Sequence, residues 1–528
     1  MAHAQQHTQS LWQEHTAFPA LKSLDTSLKT DVCIVGAGIA GLLTAYRLMR
    51  KGLDVVILEK DLLGFNETAH STAHLSNALD DGYVNIRKWH GREGARLAYN
   101  SHTAAIDLIE HLVKEEDIQC DFQRVPGYLF LGEGDDRRFL EMEMAAVHDA
   151  GFFDAHLVEE AEEQFFDAGA CLKFPRQAQI DPLKFARGIC ENILARGAQI
   201  YPLTHAEKFQ GGEDTYVETS SGHRISCKHI VVTTNVPIND WMKVHFKEAA
   251  YRTYVVALKV PRGMKAPCLF WDTEMPYHFL RFHTNSKEDY DVLIVGGEDH
   301  RVGQGGTSDN RFFRLRDWAE RRLQIEGEVV ASWSGQIIEP MDGLAYIGRN
   351  PGDFDNVYIS TGDSGHGITH GAIASMILSD LITVGSHPWA ALYNPSRFNW
   401  KGVSRFIKEN IQTGIQYRDW ISKGDNKDLE ELIPGQGCVI SEGLSKIAVY
   451  RGEDGMFHRL SAKCPHMGGV VHWNEAEGTW DCPVHGSRFN KYGEVLNGPA
   501  LNNMSPEDRS SEEATERKNK KEGSVGVK

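Results

Sequence analysis

Two cysteines and two histidines near the C-terminal end constrain this chain more than any other feature. Cys464 and His466 lie in CPHMGG, and Cys482 and His485 lie in CPVHGS. The spacing is Cys-x-His, fifteen residues, then Cys-x-x-His. For all four to reach one centre, two short loops must fold against each other. Two thiolates and two imidazoles can hold a [2Fe–2S] cluster, with the cysteines on one iron and the histidines on the other. Zinc is the competing centre. Cys₂His₂ zinc sites, however, usually open with Cys-x₂₋₄-Cys and close with His-x₃₋₅-His. Here each loop supplies one ligand of each kind, which favours the two-iron cluster. Neutral imidazoles in place of thiolates leave less negative charge on the cluster and raise its potential. The chain is therefore expected to move single electrons.

Residues 432–500 as a whole resemble a Rieske domain. The runs 446–450 and 480–482, with the turns GEDG and KYG, predict an all-β module of small strands. High-potential Rieske proteins of cytochrome bc complexes carry an additional cysteine in each ligand loop, and these form a disulfide. The matching positions here are Gly469 and Val484, so the resemblance implies no such bridge. The Ser of that family is present as Ser487, while its Tyr is Phe489. Fewer hydrogen bonds to the sulfurs imply a potential below the top of the Rieske range.

A second strong signal begins at Asp31. DVCIVGAGIAGLLTAYRLMRKGLDVVILEK predicts strand, tight turn, helix and strand. Gly36, Gly38 and Gly41 fit G-x-G-x-x-G, and Glu59 ends the second strand twenty-three residues after Gly36. In such a unit the glycines allow the turn, the approach of a pyrophosphate and close helix–strand packing, and the acid faces a ribose. The motif alone does not choose between FAD and NAD.

NVYISTGDSGHGITHGAIASMILSDLI predicts a strand, a Gly-rich turn and an apolar helix. It resembles the C-terminal flavin-binding segment of the D-amino-acid oxidase and glycine/sarcosine oxidase family. IDPLKFARGICENILARGAQIYPL, HIVVTTNVP and WSGQIIEPMDGLAYIG resemble further landmarks of that family, and the resemblance covers roughly residues 30–400. It implies an α/β FAD-binding Rossmann-like domain with an α+β substrate domain on a mixed sheet. FAD would be held by Gly36, Gly38, Gly41 and Glu59, and by Thr68, His70 and Ser71 in ETAHSTAHL. The isoalloxazine would lie against Gly365, Gly367, Ile368 and Thr369, where amides at a helix start favour negative charge. Relatives of the dimethylglycine dehydrogenase type attach FAD through a histidine eleven residues after the acid, which is the position of His70. The tryptophan that precedes that histidine is Ala69 here, and this favours a hydrogen-bonding role.

Substrate-side candidates come from WDTEMPYHFLRF, expected as one strand. Alternation places Tyr277, Phe279 and Arg281 on one face and His278, Leu280 and Phe282 on the other. Tyr277 and Arg281 either enter the substrate cavity or serve the sheet, Arg281 through an interior salt bridge. His366, in SGHGITHG, either meets the ring edge in catalysis or makes a structural contact. Amino-acid-oxidising members carry an Arg just after the W-x-G element; Gln336 and Ile337 stand there in this chain. A free amino acid anchored in that way is not expected.

At 528 residues several domains are expected. We read residues 1–30 as an N-terminal extension, 31–400 as the FAD-dependent oxidoreductase, 401–430 as a helical linker, 431–504 as the Rieske [2Fe–2S] domain, and 505–528 as a charged, disordered tail. The net charge of −17 argues against a nucleic-acid partner, which would need a basic face. No apolar run reaches transmembrane length, no secretory leader is legible, and the nine cysteines show no framework spacing. A cytoplasmic location with reduced thiols is expected. The expected function is oxidation of a small molecule at a C–N bond by hydride transfer to flavin. Electrons would then leave singly through the cluster to an acceptor protein or quinone. The alternatives are a reductase, in which the cluster feeds the flavin from a one-electron donor, and a redox sensor with little turnover.

Overall fold

The computed structural model describes residues 9–506, apart from 66, 163–164, 240–243, 265, 285–287, 305–309, 400–428 and 444. Most of the expected linker, and the tail beyond 506, lie outside the described residues. The chain divides into two compact units. One is Thr8–Arg301 with Asn310–Asn410, and the other is Met1–His7, Val302–Asp309 and Ile411–Lys528.

The larger unit is built on two sheets. The first has six strands, in the order Tyr346–Arg349, Val357–Thr361, His229–Val232, Val32–Val35, Val55–Leu58 and Gln199–Tyr201. All neighbours pair in parallel except the first two. Val32–Val35 and Val55–Leu58 are buried throughout, as expected for parallel strands covered on both faces. Helix α1 (Ile39–Arg50) connects them, as the motif predicts. Helix α2 (Gly367–Thr383) follows Val357–Thr361 and crosses α1 where Gly371 lies against Ile39 and Ala40. A Cβ on Gly371 would stand 3.1 Å from the Ile39 side chain and 3.2 Å from the Ala40 nitrogen, so the two helix starts meet closely.

The second sheet is mixed. Its order is Val329–Pro340, Glu248–Pro261, Tyr290–Arg301, His278–Thr284, Leu269–Asp272, Gln123–Phe130, Cys171–Gln179 and His74–Leu75. Leu269–Asp272 pairs with Gln123–Phe130 in parallel, and the other neighbours are antiparallel. WDTEMPYHFLRF is thus not one strand but two, Leu269–Asp272 and His278–Thr284, paired with each other. Pro276 sits in the turn between them; a proline cannot donate to a ladder and marks the break. The alternation expected beyond the turn holds. Phe279 meets His74 and Arg281 meets Trp12, while His278 meets Trp318 and Phe282 meets Phe165.

The smaller unit carries an antiparallel sheet of three strands, Gly437–Glu442, Ser445–Arg451 and Phe457–Ser461. A second antiparallel sheet has four strands, His472–Asn474, Thr479–Asp481, Arg488–Asn490 and Val495–Asn497. Its core includes Trp473 and Trp480 in edge contact at 4.8 Å. Arg488, fully buried, bonds to Asp481 at 3.1 Å and approaches Glu477 at 3.5 Å. No helix among the described residues is long and apolar enough to cross a membrane.

Candidate active site and metal centre

Two glycines of the turn have no room for a side chain. Gly36 has φ +106°, and a Cβ on it would lie 2.7 Å from the Thr233 carbonyl oxygen. Gly38 is the N-cap of α1. A Cβ on Gly41 would stand 2.0 Å from the Gly36 carbonyl oxygen. The buried Glu59 carboxylate accepts from the Ala37 amide at 2.8 Å and the Asp61 amide at 3.1 Å, closing the turn from behind. Burial pushes the Glu59 carboxyl upward, and the Asp61 charge adds to this. Thr68, on the 3₁₀ turn Glu67–His70, accepts from the Ile39 amide at the start of α1 at 3.0 Å. Thr68 and the glycines therefore converge on one helix N-terminus, the geometry that receives a pyrophosphate.

His70 is buried, with Nδ1 3.8 Å from the Glu67 carboxylate. Its carbonyl accepts from Trp333 Nε1 at 2.9 Å, and the Ser71 carbonyl accepts from Trp12 Nε1 at 2.8 Å. The two indoles fix this loop from segments far apart in the sequence. Neither was legible as a site residue, because each acts through a distant main-chain carbonyl.

The turn before α2 brings three of the expected or neighbouring polar side chains together. Gly365 has φ +76°, and a Cβ there would lie 2.4 Å from Asp80 Oδ2 and 3.9 Å from the Tyr277 hydroxyl. His366 Nε2 is 3.1 Å from Asp80 Oδ1. Tyr277, His366 and Asp80 therefore meet at Gly365. Ile368 and Thr369 are buried in the first turn of α2, and Thr369 Oγ1 donates to the His366 carbonyl at 3.0 Å. Arg281 is engaged elsewhere. Its Nη2 donates to the Ile180 carbonyl at 3.0 Å, its guanidinium lies 5.2 Å from the Trp12 ring centre, and it is fully buried. Gln336 donates its backbone N–H to Glu67 at 2.8 Å.

Acidic groups from four separate elements surround Tyr277 and His366. Asp80 precedes the helix Gly82–Glu115, Asp299 lies on Tyr290–Arg301, Glu339 on Val329–Pro340, and Asp363 in the turn before α2. Glu339 accepts from Ser364 Oγ at 3.1 Å. Burial raises the Tyr277 phenol well above its ordinary range, and the charges of Asp299, Asp80 and Glu339 push the same way. Burial, with the Asp80 charge, pushes the Asp299 carboxyl up to about 7. Burial with the Glu67 charge does the same for Asp363, also to about 7. Burial lowers the His366 imidazole, but the charge and hydrogen bond of Asp80, with Glu339 and Asp363, outweigh it and raise its pKa. The field here favours a cation.

His278, on the opposite face from Phe279 and Arg281, titrates late. Burial lowers it, but the hydrogen bond it donates to Asp272 and the nearby carboxylates of Glu298, Asp272 and Glu274 carry it up to about 9. Arg311 and Arg314 face Glu298 from the helix Arg311–Trp318. A raised folded-state pKa adds stability that is complete below the unfolded value, near 6.5, and is lost as pH rises through about 9. The melting-temperature gap between wild type and His278→Gln is therefore expected to be widest below pH 6.5 and to narrow toward pH 9. A gap that widens with pH in scanning calorimetry would refute this assignment.

In the smaller unit the four expected ligands come together. Cys464 and Cys482 are buried, whereas His466 and His485 keep partial exposure. The two imidazole centres are 5.2 Å apart. The loops are built alike: Cys464 N–H donates to Gly469 O and Cys482 N–H to Ser487 O, each at 2.8 Å. Each cysteine carbonyl then accepts at 3.0 Å, from Gly468 and Gly486 respectively. A Cβ on Gly469 would lie 2.4 Å from Val484 and 3.1 Å from Cys482 Sγ. Gly469 and Val484 thus face each other, and none of the nine cysteines forms a disulfide. Buried sulfurs side by side with half-exposed imidazoles fit a cluster whose histidine-bound iron faces outward.

A dinucleotide turn, a Gly-rich helix start facing a mixed sheet, and a separate Cys₂His₂ module define a flavoprotein with an iron–sulfur module. Residues 31–381 match the family described as FAD dependent oxidoreductase, and residues 419–507 match the Rieske [2Fe-2S] domain. The chain belongs to the FAD-dependent oxidoreductase family and carries a C-terminal Rieske domain; its cofactors are FAD and a [2Fe–2S] cluster. It is 30% identical over 504 residues to YhfW of Bacillus subtilis (strain 168), named as a Rieske 2Fe-2S iron-sulfur protein; the match covers 94% of this chain and 97% of that one. It is 24% identical to gamma-glutamylputrescine oxidoreductase of Escherichia coli (strain K12), over 75% of this chain and 94% of that one. Among solved structures, L-proline dehydrogenase from P. horikoshii shares the fold with a TM-score of 0.59 at 18% identity, covering 70% of this chain and 98% of that one. Glycine oxidase from Geobacillus kaustophilus has a TM-score of 0.57 at 17% identity, covering 70% and 99%.

Proposed function

We propose that the protein oxidises the C–N bond of a cationic amine and passes the electrons to an external one-electron acceptor, a protein or a quinone. The observation that carries this reading is the set of Asp80, Asp299 and Glu339 around Tyr277, with Gln336 where amino-acid-oxidising relatives place an arginine. Carboxylates attract an ammonium group and repel a substrate carboxylate. A relative named for gamma-glutamylputrescine supports the same class.

FAD supplies a two-electron acceptor for hydride, and the cluster supplies a one-electron outlet. Gly36, Gly38, Gly41, Glu59, Thr68, His70 and Ser71 would hold the dinucleotide, and Gly365, Gly367, Ile368 and Thr369 would line the ring. An ammonium must lose its proton before its neighbouring carbon can give up hydride, and the Asp80 carboxylate, 3.1 Å from His366 Nε2, would take that proton. Tyr277 orients the substrate nitrogen. Arg281 acts on the substrate side only by bracing Trp12 and the Ser71 loop.

Anaerobic mixing of the holoprotein with primary, secondary and N-methyl amines and with diamines tests the reading. Bleaching of the flavin followed by reduction of the cluster is expected. If every amine fails while a reduced one-electron donor bleaches the flavin, the reductase alternative replaces it.

A further inference from the structure

His278 points away from the proposed substrate side, yet its backbone and ring are both tied down, by Asp272 and by Trp318. One carboxylate, Asp272, accepts both from its backbone N–H at 2.8 Å and from Nδ1 at 2.9 Å. Its ring stacks on Trp318, with centres 4.3 Å apart and planes 12° from parallel. Glu298 lies 3.8 Å from Nε2 and is itself held by Arg311 at 3.1 Å and Arg314 at 3.4 Å. Asp272, Glu274 and His278 are close enough together to suggest a cation site. These hydrogen bonds account for the grouping without one.

The neighbours of this clamp along the chain are the two groups that matter on the other face. Tyr277 precedes His278, and Asp299 follows Glu298. The Asp272 bond to the His278 amide closes the turn in which Tyr277 is the last residue. The Tyr277 carbonyl then lies over Gly297, where a Cβ would come within 2.1 Å of it. The strand beyond is bulged. Arg252 pairs with His300 and Tyr254 with Gly297, so Glu298 and Asp299 together oppose Thr253. Glu298 adopts φ +55°, an uncommon conformation for a residue with a Cβ. Bulges re-aim side chains next to active sites, and a strained backbone persists only where its surroundings over-determine it. Here the surroundings are Arg311, Arg314 and His278.

We propose that His278 is a positioning residue: bonded to Asp272, stacked on Trp318 and facing the Glu298 carboxylate on one face of the sheet, it sets the Tyr277 phenol and the Asp299 carboxylate on the other. The proposal rests on the reading above only in taking Tyr277 and Asp299 as substrate-facing groups.

Two measurements decide it. Crystal structures of the FAD-loaded wild type and His278→Gln should show the Tyr277 hydroxyl displaced by about 1 Å or more, with the Gly36–Gly41 turn unmoved. A displacement of that size near reacting atoms can cost on the order of 100-fold in rate. An unmoved Tyr277 and Asp299 would overturn the proposal even if no amine reduced the flavin, so its failure is separable from that of the amine reading. With an amine that does bleach the flavin, a double-mutant cycle follows. His278→Gln should slow flavin reduction by about 10- to 100-fold in the wild-type background, but by less than about threefold when Tyr277 is already Phe. Equal losses in both backgrounds would mean that His278 does not act through Tyr277, and would overturn the proposal. Should His278→Gln fail to retain FAD, Glu298→Gln loosens the same clamp from its other side and is read by the same criteria.

Discussion

Replacing Cys464 and Cys482 by serine is expected to yield a yellow protein with no iron, in which substrate still bleaches the flavin at close to the wild-type rate. What should slow, by about 100-fold or more, is reoxidation by a one-electron acceptor, since the cluster is the relay through which the flavin's electrons are expected to leave. Serine is nearly isosteric with cysteine but offers no thiolate to iron. The module has other supports: the Arg488 ion pairs with Asp481 and Glu477, and the Trp473–Trp480 contact. The half-exposure of His466 and His485, against the burial of both cysteines, makes the histidine side the natural exit to a partner. Stopped-flow absorbance separates the two half-reactions. If the variant keeps its FAD but loses substrate-driven bleaching, the cluster lies upstream and the direction of flow is reversed.

What the sequence disclosed follows from how far apart the cooperating residues lie. The Gly36–Gly41 turn and the two ligand loops are local, and their spacing encodes their geometry. Gly469 and Val484 face each other as their positions implied. Asp80, Asp299 and Glu339 carry no local signature. They become neighbours only because a helix-leading loop and two strands of one sheet converge on the turn at Gly365. The bonds of Trp12 and Trp333 to the His70–Ser71 loop carry no local signature for the same reason, although Trp333 opens the W-x-G element. Arg281 was open between a cavity and a salt bridge. Among the described residues it meets no carboxylate at ion-pair distance and spends its charge on a carbonyl and an indole face, a partnership that residue type does not announce. His278 was read only as the residue opposite Tyr277 in the alternation, yet its bonds to Asp272 define the turn that a single-strand reading of WDTEMPYHFLRF hid.

Gly41→Ala is expected to abolish FAD retention while leaving the iron cluster in place. The new methyl carbon would stand 2.0 Å from the Gly36 carbonyl oxygen and 2.9 Å from Thr233 Oγ1. The first of these is backbone in the turn that must receive the pyrophosphate, so relief requires α1 to move away from the strand Val32–Val35. Overpacking of this kind costs about 1–3 kcal/mol even where side chains can yield. Here the yielding element is the cofactor cradle itself, and Glu59 and Thr68 lose their alignment with Ala37 and Ile39 at the same time. Gly52→Ala supplies the contrast. Gly52 has φ +82° but nothing within 4 Å of its would-be Cβ, so that change brings only the left-handed backbone strain, about 1–2 kcal/mol. Gly52→Ala should purify yellow, and Gly41→Ala should purify without the flavin bands while keeping the EPR signal of the reduced cluster. Stoichiometric FAD in purified Gly41→Ala would mean that the turn can open by more than 1 Å without losing its ligand, and the close-packed cradle would not be what holds the cofactor.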